Sequence, residues 1–311
     1  MTKVVALAGG VGGAKLAYGL SKILSPEDLT VIVNTGDDFE LFGLKICPDL
    51  DTVCYTLAGL ANPETGWGRK GDTWNCLRTL EQFDAPNWFN LGDADLALHL
   101  ERTRLDHEGL LLSEITQQLC RKMDIAHTIL PMTDDEVTTI ISTREYGDLA
   151  FQEYFVKYQF APTMTGIKFD GIDWAKAPQK VIERLNEADR IVICPSNPWV
   201  SILPILSIKE IKEIVLKKPV VAVSPIVGGD ALKGPAAKMY KEMGIIPSAL
   251  EVARQYKPYI QGFVLDAVDA EQQELISQWG IISMATNTVM IDDETKIKLA
   301  KEVLEFSLKL A

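Results

Sequence analysis

Five residues, Gly9-Gly10-Val11-Gly12-Gly13, join an apolar run ending at Ala8 to a helix-forming run that starts at Ala14. At such a strand-to-helix turn, backbone N–H groups and the positive end of the helix dipole converge, which suits phosphate or diphosphate. Glycine serves there because a Cβ would block close approach of an anion and disfavour a positive φ. Neither of two familiar nucleotide fingerprints describes the turn. A Walker A loop needs Gly before Lys and a hydroxyl after it, whereas Ala14 precedes Lys15 and Leu16 follows. Read from Gly10, the dinucleotide pattern G-x-G-x-x-G finds Gly12 and then Lys15. A phosphate site of its own kind is expected, with Gly9, Gly10, Gly12 and Gly13 as candidate residues.

Carboxylates and amides gather near this turn. The second apolar run ends in Asn34-Thr35-Gly36-Asp37-Asp38, and Pro48-Asp49-Leu50-Asp51-Thr52 follows a short loop later. Carboxylates beside a phosphate are unfavourable unless they hold a cation or a sugar hydroxyl. Mg²⁺ is the natural cation, held by one or two carboxylates plus substrate phosphates, and Asp37, Asp38 or Asp51 could supply them. The plainer roles are an Asx turn for Asp37 and a helix N-cap for Asp51. Farther along, Asn197 and Ser201 lie in the loop after Arg190-Cys194, and Gly228, Gly229 and Lys233 follow Pro219-Val223. With Asn34 they are candidate nucleotide or phosphate contacts, although a lone lysine is more often a solvated surface group. His99, His107 and His127 are scattered, and no nucleophilic triad can be assembled from them.

Elements that would position these groups alternate between strand and helix. Strands are expected at Val4-Ala8, Thr30-Val33, Arg190-Cys194, Pro219-Val223, Gly262-Leu265 and Ile281-Met284, each nearly continuously apolar, as when helices cover both faces of a parallel sheet. Helices are expected at Ala14-Leu24, Ala175-Ala188, Ile208-Leu216, Ala236-Met243, Glu271-Trp279 and Glu294-Leu308. The fold class is α/β, a Rossmann-like three-layer arrangement with a mostly parallel sheet. One domain spans 1–311, with a mainly helical insertion at 50–130. Tyr55, Trp67, Trp74, Phe83, Trp88 and Phe89 enrich that insertion in aromatics. They would form either a flat pocket for a planar ligand or ordinary helical core.

The formal net charge of -12 opposes polyanionic partners, so neither nucleic acid nor an anionic membrane surface is expected. No apolar stretch approaches the roughly 20 residues that span a bilayer. The five cysteines show no metal-ligand spacing, which fits free thiols in a reducing, cytoplasmic setting.

With these residues in view, the chain resembles the 2-phospho-L-lactate transferases of coenzyme F(420) biosynthesis, from near its start to at least Asp266. The stretches that carry the resemblance are Ala8-Gly-Gly-Val-Gly-Gly-Ala-Lys15, Asn34-Thr-Gly-Asp-Asp38, Cys47-Pro-Asp-Leu-Asp-Thr52, Leu91-Gly-Asp93 with Asp95-Leu-Ala97 and His99, Phe151-Gln-Glu-Tyr-Phe155, Pro195-Ser-Asn-Pro198 and Ser224-Pro-Ile-Val-Gly-Gly229. The resemblance implies Mg²⁺-dependent transfer of phospholactate from lactyl-2-diphospho-5′-guanosine to the ribityl hydroxyl of a deazaflavin, releasing GMP. It implies deazaflavin contacts at Asp51 and Asn90, with Asp37, Asp38 and Asp51 as catalytic candidates and Asp37 and Asp38 as metal ligands. A homodimer and a methanogenic source are implied as well. Ala94 departs from the family, which carries a basic residue there. Two rivals remain: a nucleotide-sugar-binding regulatory protein of the same fold without chemistry, and an NAD-linked dehydrogenase, which the failed fingerprint disfavours. The donor's side group, phospholactate or a phosphoenolpyruvate type, is left open.

Overall fold

The structure is a computed structural model that describes residues 2–310 except Lys233. Seven strands, all paired in parallel, form its central sheet: β1 Val4–Ala8, β2 Leu29–Val33, β3 Thr128–Pro131, β4 Arg190–Ile193, β5 Val220–Val223, β6 Gly262–Asp266 and β7 Ile282–Thr286. They lie in the order β7-β6-β5-β4-β1-β2-β3. From β1 the chain builds outward to one side through β2 and β3, then to the other through β4 to β7. The order therefore reverses between β1 and β4, and a crevice opens at their carboxyl ends.

Continuous apolar runs serve both faces of this sheet. Val5, Leu7 and Ile32 enter one buried cluster, while Val4, Ala6, Ala8, Val31 and Val33 enter the other. The second cluster is closed by α1 Gly10–Ser21, α2 Pro48–Leu57, the helix Asp293–Ser307, and residues Leu112 and Cys120 of a helix over Leu112–Lys122. The first is closed by helices that include Gln179–Glu187, Lys209–Val215 and Ala249–Tyr256. The expected three-layer α/β architecture is what forms. All five cysteines are free thiols, four of them buried.

Several elements differ from expectation. The first helix begins at Gly10, so Gly12 and Gly13 lie inside its first turn rather than before it. A hairpin of Phe39–Leu41 and Leu44–Ile46 follows β2, and Thr138–Thr143 pairs antiparallel with Gly147–Ala150 and Met164–Asp170 in a separate small sheet. Helix Ala249–Tyr256 was too short to stand out by periodicity, with Ser248 capping it through the Glu251 N–H. After the hairpin, the helices between β2 and β3 are α2, α3 Asn75–Glu81, α4 Asp93–His107 and α5 Leu112–Lys122. Two of these, α2 and α5, pack onto the sheet itself.

Candidate functional site

A cavity of about 840 Å³ opens at the crevice, bordered by Gly9 to Gly12 after β1, Pro195 to Asn197 after β4, and Ser224 and Pro225 after β5. Among the glycines, Gly10 has a positive φ, +60°. The others are needed for close approach of protein rather than ligand. A Cβ on Gly9 would lie 2.3 Å from Asp49 Oδ2, one on Gly12 2.3 Å from the Pro195 carbonyl, and one on Gly13 2.3 Å from Ser196 Oγ. Gly13 does not border the cavity at all. Two amides of the turn are also occupied, since Gly9 N–H donates to Ser196 Oγ at 3.0 Å and Gly10 N–H to Asp49 Oδ1 at 2.7 Å. Val11 and Gly12 supply the remaining first-turn amides, which have no intrahelical acceptor and border the cavity. Because the Pro195 carbonyl is backbone and cannot swing aside, Gly12→Ala is expected to cost on the order of 1–3 kcal/mol. Urea unfolding measures this, and an unchanged midpoint would contradict it.

Asp49, at the start of α2, is buried and also accepts from Asn34 Nδ2 at 3.0 Å. Burial pushes its carboxyl up to about 6, against hydrogen bonds from Asn34, Gly10 and Ser201 that favour the charge. Asp37 borders the same cavity, and its Oδ1 has no hydrogen-bond partner. Burial first, and then the Asp49 charge, raise its carboxyl well above the ordinary range. Asn34, which was expected to touch ligand, lies behind this pair. Its Nδ2 binds Asp49 and the Val200 carbonyl, and its Oδ1 takes the Gly36 N–H.

Asp38 is not part of the cavity wall. Both of its carboxyl oxygens are enclosed, and burial raises it to about 8, with the Cys47 thiol and then Arg102 opposing. The two residues sit in a turn closed by the Asp38 N–H donating to the Thr35 carbonyl at 3.2 Å, with Asp37 beside Asp49 and Asp38 on the Cys47 and Arg102 side. A hard cation with oxygen ligands fits Asp37 and Asp49 better than Asp37 and Asp38. Asp38 holds its proton more tightly folded than unfolded. It therefore favours the fold in acid and loses that advantage as pH rises from about 4 towards about 8. Asp38→Asn is expected to stabilise the protein at pH 8 by on the order of 1–3 kcal/mol, with little change at pH 4. Equal unfolding midpoints for variant and wild type at pH 8 would contradict this burial argument.

Asp51, one turn along α2, meets a partner that the sequence reading did not assign. The Arg102 guanidinium of α4, buried beside it, binds both of its oxygens, Nη1 lying 3.1 Å from Oδ2 and Nη2 closing on Oδ1. Burial opposes the charge on Arg102, but Asp51 outweighs it and the guanidinium pKa is raised. Nη1 also lies 3.1 Å from His99 Nδ1, and Tyr55 O–H donates to Asp95 Oδ1 at 2.6 Å. Asp51, Asp95 and His99 could offer three atoms within 4.8 Å of one another to a metal. Arg102 already supplies the positive charge there, and a second cation would sit against it. The pattern was visible in spacing: Asp95, His99 and Arg102 fall at i, i+4 and i+7 of one helix, and Asp51 and Tyr55 at i and i+4 of another.

Of the aromatic residues in the insertion, Tyr55, Trp67 and Phe89 border the cavity, beside Asn90. Trp88 packs on Phe39 and Phe89, and Trp74 and Phe83 are exposed. A second aromatic wall was not anticipated. It comes from Phe151, Phe155 and Phe160, whose neighbouring rings stack at 5.5 and 5.8 Å, around a π-helical turn over Glu153–Lys157. Such turns are uncommon and concentrate at functional sites. Asn197 and Ser201 border the cavity, and Asn197 Oδ1 accepts from the Trp199 N–H. Gly228 and Gly229 do not border it. They make a tight turn with positive φ, in which Gly228 N–H donates to Asp269. Their neighbours Val227 and Leu232 reach the cavity instead, and Lys233 lies outside the described residues.

Residues 4–307 match the family model for 2-phospho-L-lactate transferase CofD. A phosphoenolpyruvate transferase from Streptomyces griseus is 40% identical over 312 residues, covering 98% of each chain. A 2-phospho-L-lactate transferase from Methanopyrus kandleri is 41% identical over 304 residues, covering 97% of this chain and 96% of that one. Relatives thus come from bacteria as well as methanogens, so the resemblance does not point to a methanogenic source alone. A solved UPF0052-family protein from Bacillus halodurans superposes with a TM-score of 0.64 at 14% identity, covering 98% of this chain and 100% of its own, which shows the fold alone. The match along almost the whole length, with relatives about 40% identical over nearly all of each chain, places the chain in the CofD family of 2-phospho-L-lactate transferases.

Proposed function

We propose that the protein transfers phospholactate from lactyl-2-diphospho-5′-guanosine to the ribityl hydroxyl of a deazaflavin, releasing GMP and forming coenzyme F(420)-0. The observation that carries this reading is a single cavity lined by both the phosphate turn with Asp37 and Asp49 and the Asp51, Asn90 and Phe89 corner. A donor diphosphate and a planar polyhydroxylated acceptor need those two neighbourhoods side by side. Phosphoryl transfer leaves little covalent chemistry to the protein, so positioning and charge neutralisation supply most of the rate.

Val11 and Gly12 amides hold the diphosphate at the start of α1. Asp37 and Asp49 hold Mg²⁺, which when bound offsets charge on the diphosphate. Asn197 and Ser201 orient the nucleoside, and Asn90 and Asp51 the acceptor. With both oxygens bound by Arg102, Asp51 orients the ribityl chain. The protein acts in the cytoplasm as a homodimer, the state that light scattering of the purified protein would check.

A second donor is favoured by a specific finding, because relatives of equal identity are named phosphoenolpyruvate transferases. Lactyl and enolpyruvyl groups differ at one carbon, a difference that pockets separate only modestly. Deazaflavin fluorescence should change on titration with the protein, more strongly when a guanosine nucleotide and Mg²⁺ are present. No change under any of these conditions would retire the reading, and tight uridine nucleotide-sugar binding in its place would favour a regulatory protein of this fold.

A further inference from the structure

The corner formed by α2 and α4 contains a hydrogen-bond donor that the protein itself does not use. His99 is 1% exposed and borders the cavity, and its Nε2 has no hydrogen-bond partner. Its ring orientation is set from behind. An arginine only donates, so Arg102 Nη1 at 3.1 Å makes Nδ1 the acceptor and places the ring proton on Nε2. Asp95 Oδ1 lies 3.5 Å from that nitrogen, and this oxygen already takes the Tyr55 hydroxyl at 2.6 Å. A buried donor without a good partner is costly, and His99 borders the cavity in which a ligand could meet that cost.

Asp95 beside it is the complementary acceptor. Two adjacent side chains therefore present one N–H donor and one carboxylate acceptor. Neighbouring hydroxyls of a polyol match this pair, one accepting from the ring and the next donating to the carboxylate.

We infer that His99 and Asp95 form a vicinal-diol clamp for the ribityl chain of the acceptor, with Arg102 and Tyr55 as the positioning residues that hold the clamp in its donor and acceptor states. The inference rests on the deazaflavin reading above, to which it adds two contacts at the acceptor end. It assigns no proton transfer to His99, whose Nε2 already carries a proton.

The experiment compares His99→Asn with His99→Gln, using the deazaflavin and an analogue whose ribityl chain lacks one internal hydroxyl. An Asn side chain reaches Arg102 with its carbonyl but is too short to place a donor where Nε2 lies, whereas Gln retains both groups. His99→Asn is expected to weaken binding of the deazaflavin about tenfold, measured by fluorescence titration, and to leave guanosine diphosphate binding unchanged. His99→Gln restores most of the loss. For one deoxy analogue, wild type and His99→Asn bind equally, which a purely structural role for His99 would not produce. Equal losses for all acceptors, or no loss in His99→Asn, would overturn the clamp. If wild type itself does not bind the deazaflavin, the functional reading fails rather than the clamp alone.

Discussion

Arg102→Met is expected to lower the unfolding free energy by about 3–5 kcal/mol, the usual cost of leaving one member of a buried ion pair without its partner. Arg102 is 3% exposed and Asp51 against it 6%, so the pair is held largely out of water in the folded state. Methionine fills much of the same volume, which separates the loss of charge from the creation of a cavity. Asp51→Asn added to the same chain removes the orphaned carboxylate and is expected to recover most of the stability. Denaturant unfolding of the single and double variants at pH 7 measures both effects. A single variant as stable as wild type would mean that Asp51 is not held as the structure shows.

Asp49→Asn is expected to lower kcat by 100-fold or more while the fold survives, because an amide of the same shape keeps an acceptor for the Gly10 N–H but gives up the negative charge. The ionised carboxylate is the active form in this account. In the free enzyme burial holds its titration near 6, so kcat/KM should rise with pH up to that point, and a bound cation would move the limb lower. The variant should lack the limb and its Mg²⁺ dependence together. Steady-state rates between pH 5 and 8, at several Mg²⁺ concentrations, make the comparison. Unchanged Mg²⁺ dependence in Asp49→Asn, with Asp38→Asn inactive, would restore the adjacent pair Asp37 and Asp38 as the cation site.

Much of the fold is legible because buried parallel strands are written as continuous apolar runs. Val4–Ala8, Leu29–Val33 and Gly262–Asp266 lie within a residue or two of where those runs put them. Antiparallel pieces such as Met164–Asp170 are half-exposed and mix polar with apolar residues, so no run marks them. At the site, the glycine turn is legible as a turn, but its physical reasons are not. Gly9, Gly12 and Gly13 are small because Asp49 of α2 and the loop residues Pro195 and Ser196 come back against them, which only the folded structure shows. Asp37 and Asp38 are equivalent in sequence and differ in space, one in the cavity wall and one enclosed behind it. Arg102 was hidden because a charged residue on a helix is ordinarily a surface group, and nothing local announces a partner 51 residues earlier.

Product analysis tests the central claim most directly. The purified protein is incubated with the deazaflavin, lactyl-2-diphospho-5′-guanosine and Mg²⁺, and both products are separated and weighed by chromatography and mass spectrometry. The account predicts GMP in amounts equal to a deazaflavin heavier by one phospholactyl group. GMP formed while the deazaflavin stays unchanged, or no GMP at all from either this donor or its enolpyruvyl analogue, would contradict it.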